Sequence, residues 1–369
     1  MIASASIKAA ARAEGQRLFA AFQALGARPV EADVLQPAGT LLDLYGEDIR
    51  ARAYVTHDAA LGEMMLRPDF TVPVVQAHMA GGADPARYCY LGEVFRQQNG
   101  GPTGARAREY LQVGYEVFDR DQPLRADAEV FALFSRLLAG RGLRGATGDF
   151  ALLIAAVRGL PTSETRKSAL LRHLWRPARF RALLERFAGR APLPAGRAEL
   201  LARLASGDPV ASAAPQIGLR SRVEIEQRLA RLAEDAATPP IPAALVDALE
   251  SLMAMTDKAP TALTRMRALA GQMPWIDPVL DRFEQRLAVL AAHGVDTAAL
   301  DFEAAFGRTT LEYYDGFVFG FYAEGRDLPP VASGGRYDAL TAVLGQGGSI
   351  PAVGGVIRPG LLVALEGQA

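Results

Sequence analysis

Cysteine, histidine and long apolar runs are all scarce in this chain of 369 residues. Its one cysteine, Cys89, excludes an internal disulfide framework, and its four histidines do not have the spacing of metal ligands. Apolar runs such as "ALLIAAV", from Ala151 to Val157, are much shorter than the roughly 18 residues that a membrane-spanning helix needs. The sequence therefore predicts no structural metal, no cofactor and no membrane segment.

A strong excess of charge of either sign is also missing. Lys and Arg number 40 against 41 Asp and Glu, which gives a formal net charge of −1. Because proteins that bind nucleic acids usually carry a basic excess to neutralise phosphates, this balance argues against a nucleic-acid partner. Between Pro161 and Arg203, however, ten Lys or Arg stand against three Glu at mostly helical spacings. That segment is either a solvated helix face or a contact surface for an acidic partner.

The N-terminus lacks the pattern of a secretion signal. Lys8, Arg12 and Glu14 interrupt an alanine-rich amphipathic segment, and no long apolar stretch follows. Half of the residues are apolar, so a chain of this length can bury a sizeable core in two or three domains. We therefore expect a soluble, globular, cytoplasmic protein.

Periodic patterns predict a mixed α/β beginning. Apolar residues at helical spacing indicate a first helix from Lys8 to Leu25. Short extended runs follow in "LLDLYG", "RAYVTHD" and the start of "EMMLRPDFTVPVVQAHMAGG", whose second part predicts a helix after Pro73. A hairpin and the amphipathic helix "RADAEVFALFSRLLAGRGL" complete this part.

The composition changes in the middle of the chain and changes back near its end. From about Leu160 to Met273 it is rich in Ala, Leu and Arg, with prolines at intervals that predict short helices. Strand patterns return at Leu300, and the chain closes with a glycine-rich segment that contains the predicted tight turn "SGGR", a helix, a second glycine-rich segment and a final helix. We expect an α/β (α+β) core formed by residues 1–160 and 275–369, with a helical insertion at 161–274.

The stretch "RYCYLGEVFRQQNGGPTGARAREYLQVGYEVFD" contains the first candidate site residues. Strand periodicity places Gln112, Gly114 and Glu116 on one face of the second strand of a hairpin, and Arg96 ends the first strand. One interpretation is a floor for a small polar ligand, with the glycine leaving room for it. The other is a solvent-facing sheet surface with an ordinary arginine. Spacing alone does not separate the two.

Further polar positions offer complementary chemistry. Asp69 and Thr71 follow a proline turn, Tyr313 and Tyr314 lie in a strand-like run, and Tyr337 follows "SGGR". With Arg96 they provide an acid for an ammonium group, a base for a carboxylate and phenols for a ring, a set that fits a free amino acid. Each residue also has a structural alternative, since Asp69 can cap a helix and the paired tyrosines can belong to the core.

Four segments in order resemble the core of histidyl-tRNA synthetase, a class II aminoacyl-tRNA synthetase: "LRPDFTVPVVQAH", "YLGEVFRQQ…REYLQVGYEVF", "YYDGFVF" and "SGGRYDALTAVLG". The similarity covers roughly residues 10 to 160 and 275 to 369. It implies an antiparallel six-stranded sheet flanked by helices, usually in a dimer. The hairpin resembles the second class II motif, whose arginine contacts the ATP α-phosphate and the amino acid carboxylate.

The resemblance also implies a histidine pocket. Asp69 stands at the position of the acid for the α-amino group, with Thr71 beside it, and Gln112 and Glu116 match amino-group and imidazole contacts. Tyr314 and Tyr337 match pocket tyrosines, and Tyr313 is adjacent. The histidine-binding set therefore comprises Asp69, Thr71, Arg96, Gln112, Glu116, Tyr313, Tyr314 and Tyr337.

The chain departs from the synthetase on its catalytic side. Gln98, Thr309 and Leu361 stand where the synthetase has an acid near the adenine, a catalytic arginine and an arginine for the ATP γ-phosphate. The two lost arginines remove positive charge from the place where pyrophosphate must be stabilised, an effect commonly worth several kcal/mol. Arg308 and Arg358 lie at shifted positions, and whether either restores nucleotide binding is left open. Because of these lost charges, we expect no catalytic residues. The anticodon-binding domain of the synthetase is also missing from the sequence.

A histidine pocket without these features resembles the regulatory subunit family of ATP phosphoribosyltransferase. Members of that family pair with a short-form catalytic subunit in the first step of histidine biosynthesis, in a hetero-octamer built on dimers. The resemblance implies that histidine is an effector and that the chain itself catalyses nothing. Two alternatives are a histidine-activating synthetase-like enzyme without a tRNA-binding domain and a free-standing histidine-binding protein.

Overall fold

The computed structural model describes residues 5–39, 53–97, 107–207, 209–210, 218–306, 313–326 and 328–367. Gln98, Arg308 and Thr309, which bear on the nucleotide side, lie outside the described residues, as does the predicted strand "LLDLYG". Contacts divide the chain into two compact units. The first comprises Met1–Leu152, Met255–Met266 and Pro278–Ala369, and the second comprises Leu153–Ala254 and Arg267–Asp277.

The described strands belong to two sheets of the first unit. In chain order they are β1 (Arg28–Pro29), β2 (Leu35–Pro37), β3 (Val55–Asp58), β4 (Gly62–Leu66), β5 (Ala86–Phe95), β6 (Glu109–Phe118), β7 (Leu143–Asp149), β8 (Thr256–Lys258), β9 (Asp301–Glu303), β10 (Phe317–Ala323), β11 (Ala332–Arg336) and β12 (Ala352–Ile357).

The described helices, in chain order, are α1 (Ala5–Ala24), α2 (Thr71–Met79), α3 (Pro123–Leu137), α4 (Phe150–Arg158), α5 (Glu164–Arg172), α6 (Pro177–Phe187), α7 (Arg197–Ser206), α8 (Arg222–Ala237), α9 (Ala243–Met253), α10 (Ala259–Ala270), α11 (Asp277–Ala292), α12 (Asp338–Leu344) and α13 (Pro359–Glu366). Helix α2 begins at Thr71, before Pro73, because the first turn of a helix tolerates a residue without an N–H group. None of the described helices has both the length and the apolar character needed to cross a membrane.

The large sheet has the strand order β1-β5-β6-β12-β11-β10-β7-β9-β8. Its six central strands, from β5 to β7, are joined by antiparallel pairs, whereas the short strands β1 and β9 pair in parallel with β5 and β7. The predicted antiparallel sheet flanked by helices is confirmed as the centre of this larger sheet. Strand β8 pairs with β9, so residues 255–266 group with the first unit although the sequence boundaries placed them in the insertion.

The aromatic core lies on one face of this sheet. Tyr115 of β6 packs against Phe22 of α1, with ring centroids 5.2 Å apart, and Phe22 stacks on Phe134 of α3 at 5.9 Å. Successive strand side chains point to opposite faces, so Gln112 and Glu116 of the same strand face away from these helices. Both are nevertheless buried, which excludes the interpretation of a solvent-facing surface.

Two local predictions were wrong. The segment "SGGR" is part of strand β11 and not a tight turn, because it pairs on both sides, with β10 and β12. Glycine is needed there since a Cβ at Gly334 would lie 2.3 Å from the carbonyl oxygen of Gly354. Tyr313 and Tyr314 precede β10 and are not in a strand.

The second unit is a set of short helices. Its basic residues are partly paired within the unit: Asp235 of α8 accepts hydrogen bonds from Arg166 at 2.6 Å and from Arg197 at 2.7 Å, and Arg190 pairs with Asp247 at 2.7 Å. These arginines stabilise helix contacts inside the unit. A partner contact by the remaining basic residues stays a prediction.

Candidate binding site

One pocket of the first unit brings together all eight residues singled out from the sequence. Strand β6 provides Gln112 and Glu116, while the segment before α2 and the first residue of that helix provide Asp69 and Thr71. These residues surround about 300 Å³ of space, a volume that includes open solvent at the mouth. The complete lining is Asp69, Thr71, Arg96, Gln112, Glu116, Tyr313, Tyr314, Tyr337, Gly354, Gly355, Val356 and Arg358.

Glu116 is the centre of a hydrogen-bond cluster at the base of the pocket. Its Oε2 accepts from the hydroxyl of Tyr337 at 2.6 Å, and its Oε1 accepts from Tyr90 at 2.9 Å and from Thr71 at 3.2 Å. The hydroxyl of Tyr313 in turn donates to Thr71 Oγ1 at 3.3 Å. Three donors from three different elements therefore fix the orientation of one carboxylate.

Burial and hydrogen bonding act in opposite directions on this carboxyl group. Burial raises the pKa of Glu116 to about 7, although the hydroxyls of Tyr337, Tyr90 and Thr71 each lower it. The charged form loses water on burial, and the donors compensate only partly. Glu116 can therefore take up or release a proton near neutrality, which suits a ligand with an imidazole ring.

Asp69 and Arg96 form a mixed-charge wall of the same pocket. Arg96 Nη2 lies 3.9 Å from Asp69 Oδ2, and Arg96 Nε donates to the carbonyl of Pro68 at 2.7 Å. Burial raises the pKa of Asp69, and the Arg96 guanidinium and the N–H groups of Val72 and Thr71 oppose that rise. An acid and a base this close can bind the ammonium and carboxylate groups that share one carbon atom of a free amino acid.

Two buried polar side chains of the lining have unused hydrogen-bonding capacity. Neither amide atom of Gln112 has a partner among the described residues, although the side chain is fully buried. The same holds for Asp69 Oδ1. Because buried polar atoms without partners are costly, such atoms facing one pocket indicate that a polar ligand completes them.

Glycines keep the pocket open beside Glu116. A Cβ at Gly354 of β12 would lie 1.4 Å from Glu116 Oε2, and one at Gly114 of β6 would lie 2.1 Å from the ring of Tyr90. Any larger side chain would displace the carboxylate or the tyrosine. These glycines therefore have a steric function in strands.

Sequence reasoning missed Tyr90, Gly354 and Arg358. Tyr90 of β5 lies opposite Gly114 in the hairpin register, and its ring stacks on Phe70 at 4.4 Å. An aromatic residue facing a glycine across a predicted hairpin is the pattern that could have indicated it. Arg358 follows β12 directly, and it was considered only as a substitute phosphate ligand.

A buried ion cluster supports the residues beside the pocket. Arg336, the residue before Tyr337, donates to Asp127 Oδ1 at 2.7 Å, and Arg286 donates to Asp127 Oδ2 at 2.8 Å and to Asp149 at 2.6 Å. All four side chains are almost completely buried. The charges are mutually satisfied, so the cluster connects β11, α3, α11 and the end of β7 in one arrangement.

The nucleotide side shows no matching cation at Leu361. This residue lies in helix α13 and carries no charge where the resemblance places the γ-phosphate arginine. Arg358, its basic neighbour in the sequence, donates to the carbonyl of Pro330 and lines the pocket described above.

Comparison with known proteins places the chain in a family. A protein of Agrobacterium fabrum named ATP phosphoribosyltransferase regulatory subunit is 35% identical over 345 residues, covering 88% of this chain and 89% of the relative. A protein of the same name from Brucella canis is 34% identical over 358 residues, covering 92% and 93%. The chain belongs to the ATP phosphoribosyltransferase regulatory subunit family.

The histidyl-tRNA synthetase resemblance of this regulatory-subunit family member is also confirmed. The profile of the family described as histidyl-tRNA synthetase matches residues 5–238 and 225–359. A Bacillus halodurans structure titled ATP phosphoribosyltransferase regulatory subunit/histidyl-tRNA synthetase has a TM-score of 0.68 at 20% identity and covers 97% of this chain and 79% of that one. Histidyl-tRNA synthetase of Nostoc has a TM-score of 0.62 at 17% identity, covering 97% and 71%. These structures establish the fold.

Proposed function

We propose that this chain is the histidine-sensing, non-catalytic subunit of an ATP phosphoribosyltransferase. It binds free L-histidine in the pocket around Glu116 and associates with a short-form catalytic subunit, whose activity depends on it. The observation that carries the proposal is the meeting of Asp69, Arg96 and Glu116 in one small pocket of a regulatory-subunit family member. The expected assembly, a hetero-octamer built on dimers, follows from the resemblance alone.

The pocket supports histidine through three different recognition chemistries. The carboxylate of Asp69 and the amide oxygen of Gln112 can accept hydrogen bonds from the ammonium group. Arg96 can bind the carboxylate, and Glu116 with Tyr337 can bind the imidazole. A site built to hydrogen-bond polar groups rejects analogues that lack them, since its own buried groups are then left unpaired. Histidine should therefore bind much more tightly than leucine, which is similar in size.

Regulation follows from linkage between this pocket and the active complex. If histidine binds the inhibited arrangement more tightly than the active one, it shifts the population toward inhibition by that difference in affinity. The chain supplies the sensing site, and the partner joins ATP to phosphoribosyl pyrophosphate.

Calorimetric titration and reconstitution test this proposal together. The purified chain should bind L-histidine, co-purify with a short-form catalytic subunit and raise its activity, and histidine should inhibit the complex. Glu116→Ala should weaken that inhibition while the complex still assembles, because the carboxylate lies at the base of the pocket. Two chains that never associate, or inhibition unchanged by Glu116→Ala, would contradict the proposal.

The alternative of a histidine-activating enzyme makes the opposite prediction for pyrophosphate exchange. Adenylate formation needs cations at the departing pyrophosphate, and Leu361 supplies none. We expect no histidine-dependent exchange between ATP and pyrophosphate by the purified chain. Clear exchange would favour the synthetase-like enzyme instead.

A further inference from the structure

Arg358 reaches the candidate pocket from the end of strand β12. Its Nη1 donates to the carbonyl of Pro330, and its Nη2 lies 3.5 Å from Ser333 Oγ. Its own N–H donates to the carbonyl of Val331 at 2.8 Å, which fixes the backbone beside the pocket. Across the part of the chain that the structure describes, no carboxylate forms an ion pair with this guanidinium. A cation facing a pocket without a counter-charge is suited to an anionic ligand group.

The electrostatics of the pocket agree with the lack of a carboxylate partner for Arg358 among the described residues. Burial lowers the pKa of Arg358, the Tyr110 hydroxyl opposes this effect, and the positive charge of Arg96 lowers the pKa further. Two guanidinium groups that repel each other in a shared pocket become favourable neighbours when an anion lies between them.

We infer that Arg358, jointly with Arg96, binds the α-carboxylate of the amino acid in this pocket and so determines its preference for a zwitterion. The inference rests on the proposed function, because it assigns one more contact to the same ligand. Arg96 lies 3.9 Å from Asp69, so the ammonium and carboxylate of one ligand can be bound side by side. Arg358 adds a second cation from the end of β12, which lies on the other side of β6 from β5.

A carboxylate fits this subsite better than a phosphate does. The lining also includes the acids Asp69 and Glu116, which repel a doubly charged phosphate more strongly than a singly charged carboxylate.

Calorimetric titration with L-histidine and with histamine, which has the same ring and amine but no carboxylate, tests the contact. Arg358→Met removes the charge and keeps an unbranched side chain. We expect it to weaken histidine binding about tenfold to a hundredfold, and to leave histamine binding within about twofold. Arg358→Lys, which keeps the charge and loses the planar fork, should give an intermediate ratio of the two affinities. The matched control Arg12→Met, whose side chain is 67% exposed, should change neither affinity.

Each other outcome has a defined meaning. Wild-type chain that does not bind histidine overturns the proposed function itself. If the wild type binds but both Arg358 variants keep its ratio of histidine to histamine affinity, or lose both ligands equally, the carboxylate contact is overturned. Competition of inorganic pyrophosphate with histidine that disappears in Arg358→Met would assign the subsite to phosphate instead. Thermal unfolding of every variant shows whether the folded state is retained, and the lysine variant preserves the test if the methionine variant is unstable.

Discussion

The hydroxyl of Tyr90 donates a hydrogen bond of 2.9 Å to Oε1 of Glu116, across the hairpin formed by β5 and β6. Tyr90 is fully buried, and its ring takes the space above Gly114. The pair therefore links the hairpin geometry to the orientation of the carboxylate that we assign to ligand recognition. Tyr90 acts here as a positioning residue because it does not line the pocket itself and contacts Glu116 and Thr71, which do.

Tyr90→Phe should weaken both the fold and the site. Loss of a buried hydrogen bond to a charged group costs about 1.5–3 kcal/mol, and the pKa of Glu116 should rise further because this hydroxyl lowers it. Urea denaturation and histidine titration measure the two effects. Tyr88→Phe is the control, since its hydroxyl contacts His78 Nδ1 at 3.1 Å and not Glu116. Equal losses of histidine affinity in both variants would contradict the positioning role.

Glu116→Gln should remove the pH dependence that Glu116 gives to stability. The pKa of this carboxyl is about 7 in the folded protein against 4.5 ordinarily. Its contribution to stability is therefore fully present below pH 4.5 and is lost as the pH rises through about 7. Relative to the wild type, Glu116→Gln should gain up to about 3 kcal/mol between roughly pH 5 and pH 8. Denaturant unfolding across that range measures this difference.

Glu129→Gln provides the matched control for that experiment. Burial raises the pKa of Glu129, but hydrogen bonds from Arg87 and Tyr115 outweigh it, so the pKa lies below its ordinary value. Its contribution to stability is present above the ordinary pKa and is lost only as the pH falls through the lowered one. The variant should lose stability by a constant amount over the tested range. A constant difference for Glu116→Gln as well would show that Glu116 does not titrate there.

Strand periodicity is a local property, so it predicted the polar face of β6, whereas the antiparallel core was implied by the resemblance to histidyl-tRNA synthetase. Period two was enough to put Gln112 and Glu116 on one face. The resemblance of the four segments to histidyl-tRNA synthetase placed Asp69 and Tyr337 near them. What periodicity cannot give is which element covers a face. The burial of Glu116 depends on Tyr337 and Thr71, which lie 221 and 45 residues away in the chain.

The errors have the same physical origin. A run such as "SGGR" carries the local preferences of a turn, yet pairing with β10 and β12 makes it a strand. Its glycines are required by close approach of neighbouring chains, which is a tertiary property. The carboxylate contact that we infer for Arg358 could not be predicted from the sequence either. It depends on whether the fold brings a carboxylate of the protein close to this guanidinium.

Gly354→Ala should close the pocket from beneath Glu116. The added Cβ would lie 1.4 Å from Oε2, so the carboxylate must move and lose its bond of 2.6 Å to Tyr337. Overpacking of this kind costs about 1–3 kcal/mol, and histidine affinity should fall about tenfold or more. Gly360→Ala is the control because nothing lies within 4 Å of its added Cβ. Titration and thermal unfolding compare the two, and unchanged histidine binding by Gly354→Ala would contradict the pocket geometry.

Asp127→Asn should destabilise the first unit strongly, because one carboxylate neutralises two buried arginines. The side chains of Arg286 and Arg336 are each 3% exposed, and that of Asp127 is 0% exposed. Removing one partner of a buried ion pair costs about 3–5 kcal/mol, since the remaining charge stays out of water. Histidine affinity should also fall, because Arg336 adjoins Tyr337.

Glu109→Gln tests whether burial, and not ion pairing as such, sets the size of that effect. Glu109 pairs with Lys8 at 3.6 Å, and both side chains are more than half exposed. Exposed pairs contribute about 0–1 kcal/mol, so this variant should unfold nearly as the wild type does. Urea denaturation of the two variants at one pH gives the comparison. A loss for Asp127→Asn as small as that for Glu109→Gln would mean that Asp149 and Asp338 already neutralise both arginines, and that the cluster does not hold Tyr337 in place.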